Sequence, residues 1–277
     1  MRVLTGRPLS LSHTFLDDED ALTPDAVTVT LTDAQGSTVA TGTATADGEG
    51  WSVTLPRQPL GVYTATWDGG DVAVDETPVE VVGGFLFSIP QARKSDDYLA
   101  DADAFPAQEI REYREVVDEE FEKITGRSFV TRSLERTFVA DDSPELLALI
   151  PDAQAVESVT INGVQVEDVS GYRISRLGKI TAPDFFRDGD VVTVRVRYGY
   201  RTPPADVARV GMIRLRALLA AESSGIPDRA TTWQPGEGGT FRLATAGQGK
   251  WKTGIPEVDS TLQNYTLDTV LAVYAIG

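Results

Sequence analysis

The chain has 277 residues, with 42 acidic and 25 basic side chains for a formal charge of −17, no cysteine and one histidine. The missing cysteines exclude disulfides, thiolate nucleophiles and cysteine-held zinc or iron–sulfur centres, and a single histidine leaves no multi-histidine metal site. So acidic a chain does not grip nucleic acid over its whole surface, because phosphates are repelled. Carboxylate chemistry and structural roles survive these exclusions.

Hydrophobic residues make up 41% of the chain, enough for real cores, and the length suits two or three domains. The opening MRVLTGRPLSLSHTF lacks the apolar centre of a secretory signal. No apolar run approaches the roughly 18 residues of a membrane helix, so no membrane span is expected.

Residues 1–85 hold thirteen acidic side chains against Arg2, Arg7 and Arg57. Apolar residues there alternate with period two: Leu9, Leu11, His13 and Phe15; Val27, Val29 and Leu31; Trp51, Val53 and Leu55; Tyr63, Ala65 and Trp67. Val72 with Val74 and Val79 with Val81 extend the set. Turn-forming stretches at Asp33–Gly36, Asp47–Gly50, Pro59–Gly61 and Asp68–Gly70 separate these runs. Short alternating strands without a helical period predict a β-sandwich of immunoglobulin-like type. Trp51 and Trp67 are its expected large core anchors, and His13 is expected in a core or interface.

After Gly83-Gly84 the period changes. Ile110, Tyr113, Val117, Phe121 and Ile124 form one helical stripe, with Pro106 at the start and Gly126 past the end, predicting a helix over 106–125. A shorter helix bearing Tyr98 and Leu99 is expected before it. Residues 128–199 return to strands, with Asn162-Gly163 the clearest tight-hairpin signal. Because helices flank it in sequence, this stretch reads as a β insertion in a helical unit.

Pro203-Pro204 opens a second helix over 204–224, with Val207, Val210, Ile213 or Arg214, Ala217 or Leu218, and Ala221 on its packing face. The Gly-rich segment 229–254 has no helical pattern. It carries Arg229, Arg242, Lys250 and Lys252 against Glu237, and reads as an arm or long hairpin whose aromatic residues need burial. A short helix over 256–264 presents Val258 and Leu262, and an apolar tail spans 266–277. The fold class is therefore multidomain α+β: an N-terminal immunoglobulin-like sandwich (1–85), then a helical domain (86–277) with an inserted β-rich subdomain and a C-terminal arm.

Catalytic and ligand motifs fail one by one. Asp17-Asp18-Glu19-Asp20 lacks the alternating ligand positions, central glycine and distant Glu of a calcium loop. Ala244–Lys250 lacks the first glycine and the Ser or Thr of a phosphate loop. With 42 carboxylates, a glycosidase pair has no specificity in sequence alone. No catalytic, cofactor-binding or metal residue is assigned. Arg195 and Arg197 share one strand face, while Arg214 and Arg216 lie on the second helix. These four suit pairing with the Glu-rich first helix, within or between subunits, or contact with phosphate.

The stretch Ala104–Phe129, above all Ile124-Thr-Gly-Arg-Ser-Phe129, resembles the first long helix of head-to-tail connector (adaptor) proteins of long-tailed phages. Val196-Arg-Tyr-Gly-Tyr200 with Pro203-Pro204 and the following helix is similar to the family's second helix. Thr253–Asp259, with Leu262 and Tyr265, extends the resemblance, which covers about residues 86 to 265 and looks most like connectors from phages of actinobacteria. The sandwich and the large β insertion depart from the compact family form.

The resemblance implies a non-enzymatic virion protein at the head–tail junction, assembled in the host cytoplasm without a cofactor. It implies a homo-oligomeric ring, commonly of twelve copies, between the portal and the tail-completion or tail-terminator protein. DNA passes through the ring's channel without sequence-specific contact. Expected portal or inter-subunit contacts are Trp233, Phe241, Arg242, Leu243, Lys250, Trp251, Lys252, Val258, Leu262 and Tyr265. The alternative is a non-catalytic carbohydrate- or surface-binding protein acting through the sandwich, with Trp51 and Trp67 as a sugar platform.

Overall fold

Period-two alternation builds most of the first unit of the structure. A computed structural model describes residues 1–18, 20–48, 50–224, 232–233, 241–242 and 252–267; of 222–224, 232–233 and 241–242 it describes the backbone. The chain is mixed α+β and divides into two compact units, Met1–Gly84 with Thr131–Tyr198, and Phe85–Val130 with Gly199–Gly277.

The N-terminal part of the first unit contains β1 (Arg2–Leu4), β2 (Leu9–His13), β3 (Phe15–Asp17), β4 (Asp20–Leu22), β5 (Thr28–Asp33), β6 (Thr38–Thr43), β7 (Thr45–Asp47), β8 (Gly50–Leu55), β9 (Gly61–Asp68) and β10 (Val74–Val82). One sheet runs β1-β10-β9-β5-β6 and a second β2-β8-β7, with β3-β4 a separate hairpin. All these pairings are antiparallel except β1 with β10.

Leu9, Leu11, Val53 and Leu55 from the second sheet join Val29, Leu31, Ala65, Trp67, Val79 and Val81 from the first in one core. Each such aliphatic side chain taken fully from water contributes about 1.5–3 kcal/mol. Trp67 is fully buried, and His13 stacks on its indole at 5.2 Å while its Nε2 lies 2.8 Å from Asp75 Oδ2. Val72, which precedes β10, and Val74, which opens it, are both exposed, so β10 contributes Val79 and Val81 to the core. Of the acidic run, Asp17 ends β3 and Asp20 opens β4, the two being partners in backbone register.

Residues 131–198 supply β11 (Arg132–Val139), β12 (Glu145–Leu147), β13 (Ala153–Ile161), β14 (Val164–Gln165), β15 (Arg173–Ile174), β16 (Lys179–Thr181) and β17 (Val191–Tyr198). They form the sheets β11-β17-β13-β14 and β12-β16-β15. Val192, Val194 and Val196 alternate into a core with Val159, Ile180 and Phe186. Asn162 and Gly163 both take positive φ in the β13–β14 turn, as a two-residue hairpin requires.

These strands cluster with the N-terminal sandwich, although helices bracket them in sequence. Glu80 receives Arg2 on one oxygen at 3.1 Å and Arg132 on the other. Arg195 donates to the carbonyl of Leu60, Gln35 reaches Glu135 at 2.6 Å, and Gly83 N–H bonds Thr131 O at 2.8 Å.

The second unit contains α1 (Ile89–Ser95), α2 (Asp97–Ala100), α3 (Ala107–Thr125), α4 (Ala205–Ser224) and α5 (Pro256–Gln263), with the short pair β18 (Thr232–Trp233) and β19 (Phe241–Arg242). Ser88 and Gln91 form a capping box on α1, and Asp96 caps α2. Gly126 closes α3 in the left-handed conformation, φ 70°, its N–H on Glu122 O. Ile110, Val117 and Phe121 are fully buried, with Tyr113 and Ile124 at the margin. On α4 Val207, Val210, Leu215 and Leu219 are buried, and Ile213 and Leu218 pack against that core, whereas Ala221, expected on the same face, is exposed. Gly211 lets α4 approach Leu86 and Phe87 so closely that an added Cβ would lie 2.7 Å from Leu86 Cδ2.

Candidate assembly surface

One aromatic residue from each of the three phrases singled out in the sequence lies in the second unit. Phe129 follows the end of α3, Tyr200 precedes α4, and Tyr265 follows α5. Their ring centroids are 5.7 Å (Phe129–Tyr200), 5.5 Å (Phe129–Tyr265) and 6.3 Å (Tyr200–Tyr265) apart. Such spacings suit tilted and edge-to-face aromatic contact.

Hydrogen bonds fasten the cluster. Arg127 Nε donates to Tyr265 O at 2.8 Å, and Tyr200 N–H donates to Ser128 O at 3.2 Å. The Tyr265 hydroxyl donates to Asp206 Oδ1 and Oδ2 at 2.9 and 3.1 Å, joining the end of α5 to the first turn of α4. Desolvation first, and then Asp206, push the Tyr265 phenol up to about 12. Gly199, at φ 90°, sits where a Cβ would fall 2.1 Å from Val130 O, so only glycine fits.

Of the four arginines, Arg214 pairs with Glu120 on α3 through two bonds of 2.7 and 2.9 Å. Arg216 reaches Asp96 at 2.9 Å and lies over the Tyr98 ring, away from the long first helix. Arg195 and Arg197 face Glu157 on β13 in the first unit, at 3.7 and 3.9 Å. Arg195 also stands near Tyr63, whose phenol burial raises while Arg195 opposes the rise.

Val258 and Leu262 are fully buried in the core of their own unit. They present no surface to a partner, because the short α5 turns both inward against α3 and α4. Thr253 N and Oγ1 both donate to Asp259 Oδ1, at 2.9 and 3.0 Å, fixing the chain where it enters α5. Trp233 pairs with Phe241, and Thr232 with Arg242, through backbone register. Leu243, Lys250 and Trp251, most of the 229–254 arm and the tail beyond 267 lie outside the described residues.

Lys252 is exposed and stands on the rim of an open groove of about 570 Å³ along α3. Val116, 50% exposed, and Ile124 line it with Glu112, Glu115, Glu119 and Glu120, and Lys123 and Arg214 in the same lining pair with Glu119 and Glu120.

Arg114 on the buried side of α3 escaped the sequence reading, and Asp118, one turn on, is buried rather than on the helix's Glu-rich polar faces as expected. Arg114 lies 3.5 Å from the Phe85 ring centroid and donates to Phe87 O at 3.1 Å. Its spacing from Ile110 and Phe121 puts it on the apolar stripe, and that spacing was the available signal.

Among the described residues no group of three or more His, Asp or Glu is arranged to hold a metal ion. No described helix is long and apolar enough to cross a membrane. Trp51 and Trp67 both lie inside the sandwich, so neither indole offers a sugar platform.

No protein family and no curated protein matches the sequence. Among solved structures, the chain is similar to one in the neck of an empty GTA particle computed with C6 symmetry. Identity is 16%, the match covers 66% of this chain and 94% of that one, and the TM-score is 0.41. It is also similar to the BSP domain of a biofilm associated protein, at 18% identity, 73% and 24% coverage and TM-score 0.22. Salmonella alpha-2-macroglobulin reacted with methylamine matches at 12% identity, 74% and 14% coverage and TM-score 0.25.

Proposed function

We propose that the chain is a structural protein of the head-to-tail connector of a long-tailed phage particle. Copies form a ring, of twelve in the family it resembles, between the portal and the tail-completion or tail-terminator protein. The ring extends the DNA channel and gives the tail a surface to dock on.

The observation that supports this reading is the meeting of Phe129, Tyr200 and Tyr265. Each belongs to one of the separate phrases that resemble the connector family, and look-alike segments brought together by chance have no reason to share one aromatic cluster. The acidic charge fits a channel that lets DNA slide, because carboxylates repel phosphates and no base contact is needed. The immunoglobulin-like sandwich then hangs from the ring as an added module. The arm around Trp233, Phe241, Arg242 and Leu243 engages the neighbouring copy or the portal.

Light scattering of the purified chain, alone and with portal complex, tests the proposal. A ring, or recruitment to the portal, supports it; a monomer indifferent to the portal overturns it.

A further inference from the structure

Strand β6 (Thr38–Thr43) stands at the edge of its sheet and pairs with β5 alone. Ala44 N–H donates to Val27 O at 2.9 Å, one step beyond the partners Thr28 and Thr43. Bonded and non-bonded pairs alternate along an antiparallel ladder. Gly42 with Val29 and Ala40 with Leu31 are therefore bonded pairs. Thr41 and Thr43 turn their N–H and C=O groups away from β5, and both residues are exposed. Among the described residues no other backbone group reaches those outward groups.

Open edges are normally guarded by charge, proline or shortness. β6 runs six residues, Thr-Val-Ala-Thr-Gly-Thr, with neither a charge nor a proline. Its one irregularity falls opposite Leu31 and Thr32 and leaves Ala40–Thr43 in regular register. Charge selects the kind of partner. Residues 1–85 hold thirteen acids against three arginines, so a basic partner is drawn to the carboxylates and away from this strip. An uncharged strand suits a partner as acidic as the module itself, because it is where the two can touch without repulsion.

The strand is also complementary to itself, since its outward groups sit two residues apart. Turned antiparallel about a twofold axis at Gly42, Thr41 of one copy meets Thr43 of the other. Each then satisfies the other's N–H and C=O, and the paired threonines lie side by side on one face. Gly42 meets its own copy without a side chain.

We propose that β6 docks a second copy of this chain, edge to edge with its own β6, so that two five-stranded sheets become one continuous sheet. The pairing is separate from any ring contact.

The chain contains no cysteine, so an introduced thiol reports without background. Full-length Thr41→Cys and full-length Thr43→Cys, one of them carrying a heavy nitrogen isotope, are mixed in equal amounts. The mixture is oxidised without portal, and the dimers are resolved by mass. Across the axis the Cα atoms of residues 41 and 43 lie about 5.5 Å apart, inside the window of about 4.4–6.8 Å that a disulfide needs. Like positions lie about 8 Å apart, one two-residue step along and one strand spacing across. Both substitutions fall at exposed positions, and thermal unfolding of the reduced variants at the parent's temperature confirms an intact fold.

The expected result is the mixed dimer in about tenfold excess over either like dimer. Random collision makes each like dimer half as abundant as the mixed one, and those proportions would overturn the proposal. A predominance of like dimers, or no disulfide, would overturn it as well. A chain that gives the mixed dimer yet ignores the portal keeps the edge pairing and loses the ring, while a ring without the mixed dimer does the reverse.

Discussion

Arg214 on α4 holds both carboxylate oxygens of Glu120 on α3, through Nε at 2.7 Å and a terminal nitrogen at 2.9 Å. A planar fork of this kind fixes the rotation of one helix against the other as well as their spacing. Both side chains are largely shielded, at 18% and 24% exposure. Arg214→Lys keeps the charge and loses the second bond, for an expected cost of about 1 kcal/mol. Arg214→Ala strands the Glu120 carboxylate and is expected to cost about 2–3 kcal/mol. Urea unfolding followed by the helical signal checks this, and an Arg214→Lys variant as stable as the parent would show that the fork geometry contributes nothing.

Two left-handed glycines separate backbone strain from steric collision. Gly163 has φ 82° with open space around it, so Gly163→Ala meets only the left-handed penalty of about 1–2 kcal/mol. Gly199 has φ 90° and a carbonyl 2.1 Å from the would-be Cβ. Gly199→Ala is therefore expected to exceed about 4 kcal/mol, in the range reserved for severe mechanisms. Thermal unfolding of the two variants ranks them, and the reverse order would contradict the geometry.

The Tyr265 phenol, raised from its ordinary 10.0 to about 12, gives the second unit an alkaline weakness. Between those values the folded state holds a proton that the unfolded chain releases, so stability falls as pH rises. The contribution is complete below pH 10 and is lost on the way to about 12. Tyr265→Phe removes this slope while losing the hydroxyl bonds to Asp206. Denaturation at pH 9 and 11 measures it; an identical pH dependence in the variant would refute the assignment.

Trp67 is buried with its indole N–H unpartnered among the described residues. Trp67→Phe removes that stranded donor along with some volume and is expected to cost about 1 kcal/mol. Trp67→Ala empties the space and is expected to cost about 3–5 kcal/mol. Intrinsic fluorescence and calorimetry compare them.

Periodicity made the long elements readable. The stripe from Ile110 to Phe121 and the glycine stop at Gly126 appear in α3 within one residue of their expected bounds. The alternation of Trp51, Val53 and Leu55 appears in β8. Strands β1, β4, β6 and β7 were not legible. β1, β4 and β7 have three residues each, and β6 and β7 stand at sheet edges, built of Thr, Ala, Gly and Asp with an exposed Val39, where no face must be apolar.

Partner choice was the harder part of the site. The acid opposite Arg214 lies 94 residues away in sequence, beyond any local spacing rule. Asp96 lies closer to the N-terminus than the helix expected to pair with Arg216. One link between 131–198 and the sandwich is Glu80, whose role shows only when Arg2 and Arg132 converge on it.

The chain passes from one compact unit to the other three times, after Gly84, after Val130 and after Tyr198. Neither unit is therefore a contiguous stretch of the gene. Cutting the sequence after residue 84 yields no clean pair of modules: it deprives Arg132 of Glu80 and Arg195 of the Leu60 carbonyl, and leaves seven strands without their support. A fragment meant to isolate the helices must also excise 131–198 and bridge Val130 to Gly199, which a short linker can do because Ser128 and Tyr200 are already hydrogen-bonded neighbours.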